Sequence, residues 1–184
     1  MNKNCVYYCE GEDDLKLIDA LKVPPSRILP GKSRKLNVIQ SLIPKSILVS
    51  IKPGSNVVLV FDTDVTINLE VVKKNIDNIK RYCRDVNIIY LLQVKKLEDE
   101  IVRCTDMKSV LELTKSKSLS NFKSDFKNMK DEECRHALER HKINVQDLWT
   151  TPAPAEFKEI FREFSLTCMG DESDFFDSLI YYMY

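Results

Sequence analysis

At 184 residues, 43% of them hydrophobic, the chain can bury one core of ordinary size and needs no second catalytic domain to account for its length. Lysine plus arginine equals aspartate plus glutamate at 28 each, which excludes sequence-blind attraction of the whole surface to polyanions; a nucleic-acid partner would have to meet a local basic face. No apolar run approaches ~18 residues, no signal-peptide pattern opens the sequence, and the six cysteines form no CxxC pair, so a soluble, cytoplasmic protein with reduced, mostly buried thiols and no membrane partner is expected.

The first element is a strand, Cys5 to Cys9, running into the acidic cluster Glu10-Gly11-Glu12-Asp13-Asp14. Leu15, Leu17, Ile18 and Leu21 then recur at helical spacing from Asp13 to Lys22, and Pro24-Pro25 stops that helix. Arg27-Ile28-Leu29 predicts a short second strand, and Pro30-Gly31-Lys32-Ser33 a turn into a helix carrying Leu36, Ile39, Leu42 and Ile43. A helical turn or two covers Ser46 to Ile51. Val57 to Phe61, apolar at every position, reads as a strand buried on both faces, and it ends in a second acidic cluster, Asp62-Thr63-Asp64. Residues 68–84 predict an amphipathic crossover helix whose Lys73, Lys74, Lys80, Arg81 and Arg84 face solvent, and Val86 to Leu92 a fourth strand. Beyond residue 95 the β signals end, and helices are expected at 97–104, 107–114, 118–128, 131–140, 144–149, 153–165 and 171–182.

Strands alternating with helices predict an α/β fold: a mostly parallel four-stranded sheet flanked by helices, followed by an all-helical C-terminal part. The expected division is 1–105 and 106–184. In such a sheet, ligands bind beyond the carboxyl ends of the strands, so acids following the first and third strands converge. Convergent carboxylates suit a hard divalent cation, Mg²⁺ or Mn²⁺. Asp62 and Asp64, two apart on an extended segment, are the first choice of ligands. For Glu12 and Asp13 the plain alternative is charge at a helix N-terminus, complementing the macrodipole with no chemistry.

An EGxxD motif after the first strand, paired with a DxD after a later hydrophobic strand, resembles the Toprim domain of topoisomerases, DnaG-type primases, OLD-family nucleases and small ribosomal RNA maturases. The resemblance covers about residues 4–105. It implies a Rossmann-like sheet and metal-dependent phosphodiester chemistry, with Glu10 either a metal ligand or a general acid/base, and Asp14 an auxiliary ligand. Leu97-Glu98-Asp99-Glu100-Ile101 is similar to the additional acidic position of the OLD-like branch, which makes Glu98 and Glu100 further candidates; positions two apart on a helix point in different directions, so one of the two faces the metals, and Glu98 is preferred because Leu97 and Ile101 share the buried stripe and Glu98 lies beside Ile101 at i+3. The parts that primases and topoisomerases add are absent. The resemblance therefore implies a compact nuclease acting on DNA or RNA, possibly tRNA, like the effectors of bacterial anti-phage defence that work with an ATPase partner. A non-catalytic binding subunit and a ribosomal RNA maturation endonuclease are the alternatives.

Phosphate contacts are expected from Lys32, Arg34 and Lys35 after the second strand and from Lys95 and Lys96 after the fourth. Lys115, Lys117, Lys123, Lys127 and Lys130, interleaved with Phe122 and Phe126, read as a solvated face over a helical core, with a polyanion groove as the alternative. His136 and His141 read as surface residues. The aromatic tail from Phe175 to Tyr184 either packs on the domain or makes an oligomer or partner surface, so a homo-oligomer through the C-terminal helices is a further possibility.

Overall fold

The computed structural model describes residues 4–63, 68–155 and 158, together with the backbone of 167–168. Strands β1 (Cys5–Cys9), β2 (Gly31–Lys35), β3 (Asn56–Asp62) and β4 (Asn87–Gln93) lie parallel in the order β2-β1-β3-β4. Parallel neighbours require crossovers, and the helices α1 (Glu12–Lys22) and α3 (Leu69–Tyr82), with the short α2 (Lys45–Leu48), supply them. The side-chain alternation assigns each face. Cys5, Tyr7 and Cys9 of β1 join Val58, Val60 and Leu91 beneath Leu17, Ile18 and Leu21 of α1. Tyr8, with Leu59, Phe61 and Tyr90, faces the other way, onto Val72, Ile76 and Ile79 of α3. Covered on both faces, β3 and β4 are apolar between their terminal residues, which is why they were legible as buried strands.

Helices α4 (Leu97–Arg103), α5 (Leu111–Thr114), α6 (Leu119–Asn128) and α7 (Asp131–Arg140) follow. Phe122 and Phe126 of α6 stack with centroids 5.2 Å apart, fully buried in the same apolar cluster that holds α1 and one sheet face. The Lys16 ammonium donates to Met129 O at 2.6 Å and to Asp131 Oδ1 at 2.7 Å, fixing α1 against the α6–α7 junction. That docking carries α6 to the carboxyl rim of the sheet. All five cysteines with described side chains are buried and free, as expected, and burial raises their thiol pKa values, to about 12 at Cys104 and Cys134. No helix among the described residues is long and apolar enough to cross a membrane.

Three expectations are corrected. Arg27-Ile28-Leu29 is irregular, and the second strand is Gly31–Lys35, where a turn was expected. This edge strand is polar because one side and much of both faces meet solvent, and its lysines suit an edge that must not pair with another chain. It is held instead by α1: Lys22 Nζ donates to Gly31 O at 3.0 Å and Ser33 Oγ at 2.8 Å, and Ser33 in turn donates to Asp19. Residues 36–43 form no helix. The fully buried Asn75 of α3 takes over their backbone groups, accepting from Ile43 N at 2.8 Å and donating to Val38 O at 2.7 Å and Ser41 O at 2.9 Å. Among the described residues the C-terminal part is helices and turns with one two-residue strand, β5 (Thr167–Cys168), which pairs with Ile89 and Tyr90 and satisfies backbone groups on the open side of β4. The helix expected over 107–114 shortens to Leu111–Thr114, and that over 144–149 to a 3₁₀ turn at Val145–Asp147. Most of the helix expected over 153–165, all of 171–182 and the aromatic tail lie outside the described residues.

Candidate functional site

The carboxyl ends of β1 and β3 meet through their acids. Glu10 begins where β1 stops, and its amide still donates to Val60 O at 3.0 Å, so the residue remains in the ladder while its side chain reaches sideways. One carboxylate oxygen accepts from Asp62 N at 3.1 Å, across 52 positions of sequence, and the other from Asn37 Nδ2 at 3.3 Å. Asp64 lies outside the described residues. Thr63 N donates to Gln93 O at 3.0 Å and Thr63 Oγ1 accepts from Lys95 N at 3.1 Å, so the ends of β3 and β4 are tied together as well.

Asp14 turns back from the first turn of α1 and accepts from Gly11 N at 2.7 Å. It is only 6% exposed. Burial raises its pKa, partly offset by the Gly11 amide and by Gln93, while Glu98 adds to the rise. Asp13 is raised as well, by burial first and then by the neighbouring Asp14, Glu98 and Glu12 against the opposing charge of Lys123. Glu98 is buried in the first turn of α4, and Lys123 Nζ stands 3.3 Å from its Oε1. The carboxylates around Lys123 outweigh its partial desolvation and raise its pKa; Glu98 leads, followed by Asp13 and Asp62. Glu10, Asp13, Asp14, Asp62 and Glu98 therefore share one rim, and an ammonium from α6 sits among them.

Glu100 does not. It is 1% exposed, and its Oε2 accepts from Trp149 N at 3.0 Å and from Arg103 at 2.6 Å, while Oε1 accepts from Thr151 Oγ1 at 3.4 Å. Trp149 has φ +61°, a left-handed backbone that is costly for a bulky side chain, and the Glu100 carboxylate holds its amide in place. Its carboxylate is thus engaged by Trp149, Arg103 and Thr151 and not by the acidic rim.

The expected phosphate contacts separate in the same way. Lys35 ends β2 level with Cys9, at the acidic rim, and Lys95 and Lys96 follow β4 there. Lys32 and Arg34 pair with Val6 and Tyr8, inside the strand, and face the α3 side of the sheet rather than the rim. Their place is taken by residues read as a solvated face. Lys127 and Lys35 both pair with Glu12, the latter at 3.1 Å, and with Lys123 they line a groove of about 430 Å³ between α1 and α6. Those two contacts also lower the Glu12 pKa, with Lys127 the stronger influence. His136 is exposed and His141 faces Asp106 at 3.3 Å, away from this cluster.

Gln93, Asn37 and Lys123 were not legible as site residues. Gln93 is fully buried beside Asp14, yet neither atom of its amide makes a well-formed hydrogen bond. Its only sequence signal is a polar residue closing an apolar strand at the register position of Asp62. For Lys123 nothing local tells an outward lysine from one that bridges to another element.

The donors are all oxygens, with no thiol or imidazole, which is the chemistry of a Mg²⁺ or Mn²⁺ site. Among the described residues, however, no group of three aspartate, glutamate, histidine or cysteine side chains is arranged to hold a metal ion. No family model matches the chain, and no curated protein resembles it closely enough to count as a relative.

Proposed function

We propose that this chain is a Toprim-like, metal-dependent endonuclease that hydrolyses phosphodiester bonds in DNA or RNA, working as the effector of an anti-phage defence system under the control of an ATPase partner. The observation that carries the reading is the hydrogen bond from Asp62 N to the Glu10 carboxylate, which joins the two acidic motifs at the carboxyl rim of a parallel sheet ordered β2-β1-β3-β4. Glu10, Asp62 and Asp64 would hold the cation, with Asp14 and Glu98 beside them. When bound, the metal polarises a phosphoryl oxygen and lowers the pKa of the attacking water.

The remaining steps fall to the chain. Lys35 and Lys127, which line the groove beside Glu12 and Asp13, would bind the phosphates on either side of the scissile one, with Lys95 and Lys96 doing so on the β4 side. Asp13 and Asp14, with pKa values raised by burial, are suited to carry a proton to the leaving oxygen. The Asn37 amide and the Asp62 amide fix the Glu10 carboxylate, so that it is oriented before substrate arrives.

Purified protein incubated with Mg²⁺ or Mn²⁺ should nick plasmid DNA or cleave tRNA or ribosomal RNA, and Glu10→Ala and Asp62→Ala should abolish cleavage while the fold is retained. Inertness of the wild-type chain toward all three substrates, alone and with its ATPase partner, would overturn the proposal. It would favour a second reading, a non-catalytic binding subunit, which the Lys123–Glu98 pair supports by supplying a positive charge to the acids without metal.

A further inference from the structure

A second concave surface lies on the opposite face of the sheet, running along β1 and β2 from their amino ends to Tyr8 and Arg34. It encloses about 350 Å³ between the start of β1, the edge strand β2 and the segment Ser50–Lys52 that precedes β3. It shares no lining residue with the groove between α1 and α6, which lies across the sheet from it.

Lys32, Arg34 and Lys52 line it, and no aspartate or glutamate does. Among the described residues none of these three cations has an ion pair, whereas Lys22 and Lys35 at the same edge of the sheet are each matched by an acid. A further polar group is the Tyr8 hydroxyl. Its side chain is fully buried and lines the same pocket, and its hydroxyl makes no hydrogen bond within the described residues. An enclosed hydroxyl without a partner is rare in folded proteins and calls for one. Burial raises its pKa, against the opposing charge of Arg34, to about 12, so it is a neutral donor at physiological pH.

These groups are complementary to a particular chemistry. The charged lining side chains and the Tyr8 hydroxyl offer hydrogen-bond donors, and a guanidinium fork with two ammonium groups matches a phosphoryl group carrying more than one negative charge. Val6, Ile51 and the Tyr8 ring give the wall an apolar part, Asn4, Ser50 and Ser55 add uncharged polar groups, and the volume lies within the range of small-molecule sites, much larger than one phosphate ion requires. We propose that this pocket binds a phosphorylated small molecule of nucleotide size, its phosphate held by Lys32, Arg34, Lys52 and the Tyr8 hydroxyl and its organic body resting on the apolar wall. The proposal is independent of the phosphodiesterase reading, because it uses none of the rim acids.

Calorimetric titration of the full chain with AMP, ATP, inorganic phosphate and a short single-stranded oligonucleotide tests it. Saturable binding of AMP or ATP is expected, at least tenfold weaker in Arg34→Gln and in Lys52→Gln, a few-fold weaker in Tyr8→Phe, and unchanged in Glu10→Ala. Arg34 and Lys52 are exposed, so their variants should fold, and equal melting temperatures without ligand verify this. Three outcomes would overturn the proposal: no saturable binding of either nucleotide, nucleotide binding indifferent to Arg34→Gln and Lys52→Gln, or binding of the oligonucleotide alone. Inorganic phosphate binding as tightly as AMP would also overturn it, by showing that the pocket recognises only the anion.

Discussion

Replacing Lys123 with methionine tests whether its ammonium balances the acids in the absence of a divalent cation. Methionine keeps the unbranched stem and removes the charge. Nζ lies 3.3 Å from Glu98 Oε1. At that separation Coulomb attraction is about 1.3 kcal/mol with the dielectric constant of water and about 5 kcal/mol with an effective value near 20. The Lys123 side chain is 54% exposed, so solvent screens the pair and the lower end applies, roughly 1 kcal/mol. In EDTA the variant should lose that stability, a fall in melting temperature of about 2–4 °C for a chain of this size. Mn²⁺ no longer competes with a resident cation, so its affinity should rise roughly five- to tenfold, a tenfold change corresponding to about 1.4 kcal/mol. Isothermal titration or the electron paramagnetic resonance signal of free Mn²⁺ reads this without reference to activity, and Lys123→Arg, which keeps the charge, should behave like the wild type. Equal or weaker Mn²⁺ binding by Lys123→Met would refute the argument while leaving the metal reading intact. Failure of both proteins to bind Mn²⁺ would refute both.

Glu100→Gln leaves Arg103 without its buried counter-charge and loosens the acceptor that holds the left-handed Trp149, so a loss of about 3 kcal/mol is expected, seen as a drop of roughly 6–12 °C in thermal unfolding with Mn²⁺ affinity unchanged. Gly31→Ala would place its Cβ 2.3 Å from Cys5 O and 2.6 Å from Cys5 Cβ, both in the neighbouring strand, and should destabilise the β1–β2 edge by about 1–3 kcal/mol; hydrogen exchange confined to β2 would locate the damage. For Asp14 the folded pKa is raised by burial, so the unfolded chain loses this proton first as pH rises, and stability falls from about pH 4 upward. Asp14→Asn should therefore raise the melting temperature at pH 7 in EDTA, with a benefit that vanishes near pH 4; a benefit independent of pH would point to a different cause.

The two inner strands were legible because burial on both faces leaves an uninterrupted apolar run, and the acids that end β1 and β3 were legible because a change from apolar to acidic marks a strand end. The edge strand was not. Gly31–Lys35 reads as a turn because its stability comes from one partner strand and from Lys22 and Asp19 of α1, none of which is local. Leu36, Ile39, Leu42 and Ile43 have helical spacing, yet Leu42 is half exposed and Asn75, from an element later in the chain, binds the backbone groups a helix would have used internally. The acids at 98 and 100 were distinguishable by helical geometry, which placed only Glu98 on the rim side. Lys123 and Lys127 needed the docking of α6 on α1. Phe122 and Phe126 predict that the helix packs, without saying on what.

Formal neutrality of the chain takes a different meaning once the rim is assembled. Glu12 pairs with both Lys35 and Lys127 and offsets one of their two charges, so a substrate phosphate entering the groove between α1 and α6 competes with a carboxylate that already engages both ammonium groups. Lys123 stands to the acids as Glu12 stands to these lysines. A groove whose lysines already engage a carboxylate should bind nucleic acid weakly until that carboxylate is removed. Glu12→Gln releases both lysines without touching Glu10 or Asp62. Its affinity for a short single-stranded oligonucleotide should rise, and the dependence of log K on log salt should steepen by roughly 1–1.5, the increment for two further phosphate contacts on a single strand. Fluorescence anisotropy between 50 and 200 mM salt, on the order of the range in which such slopes are resolved, measures both quantities at once. A slope unchanged from the wild type would mean that Lys35 and Lys127 do not meet phosphate, and the groove would lose its part in substrate binding.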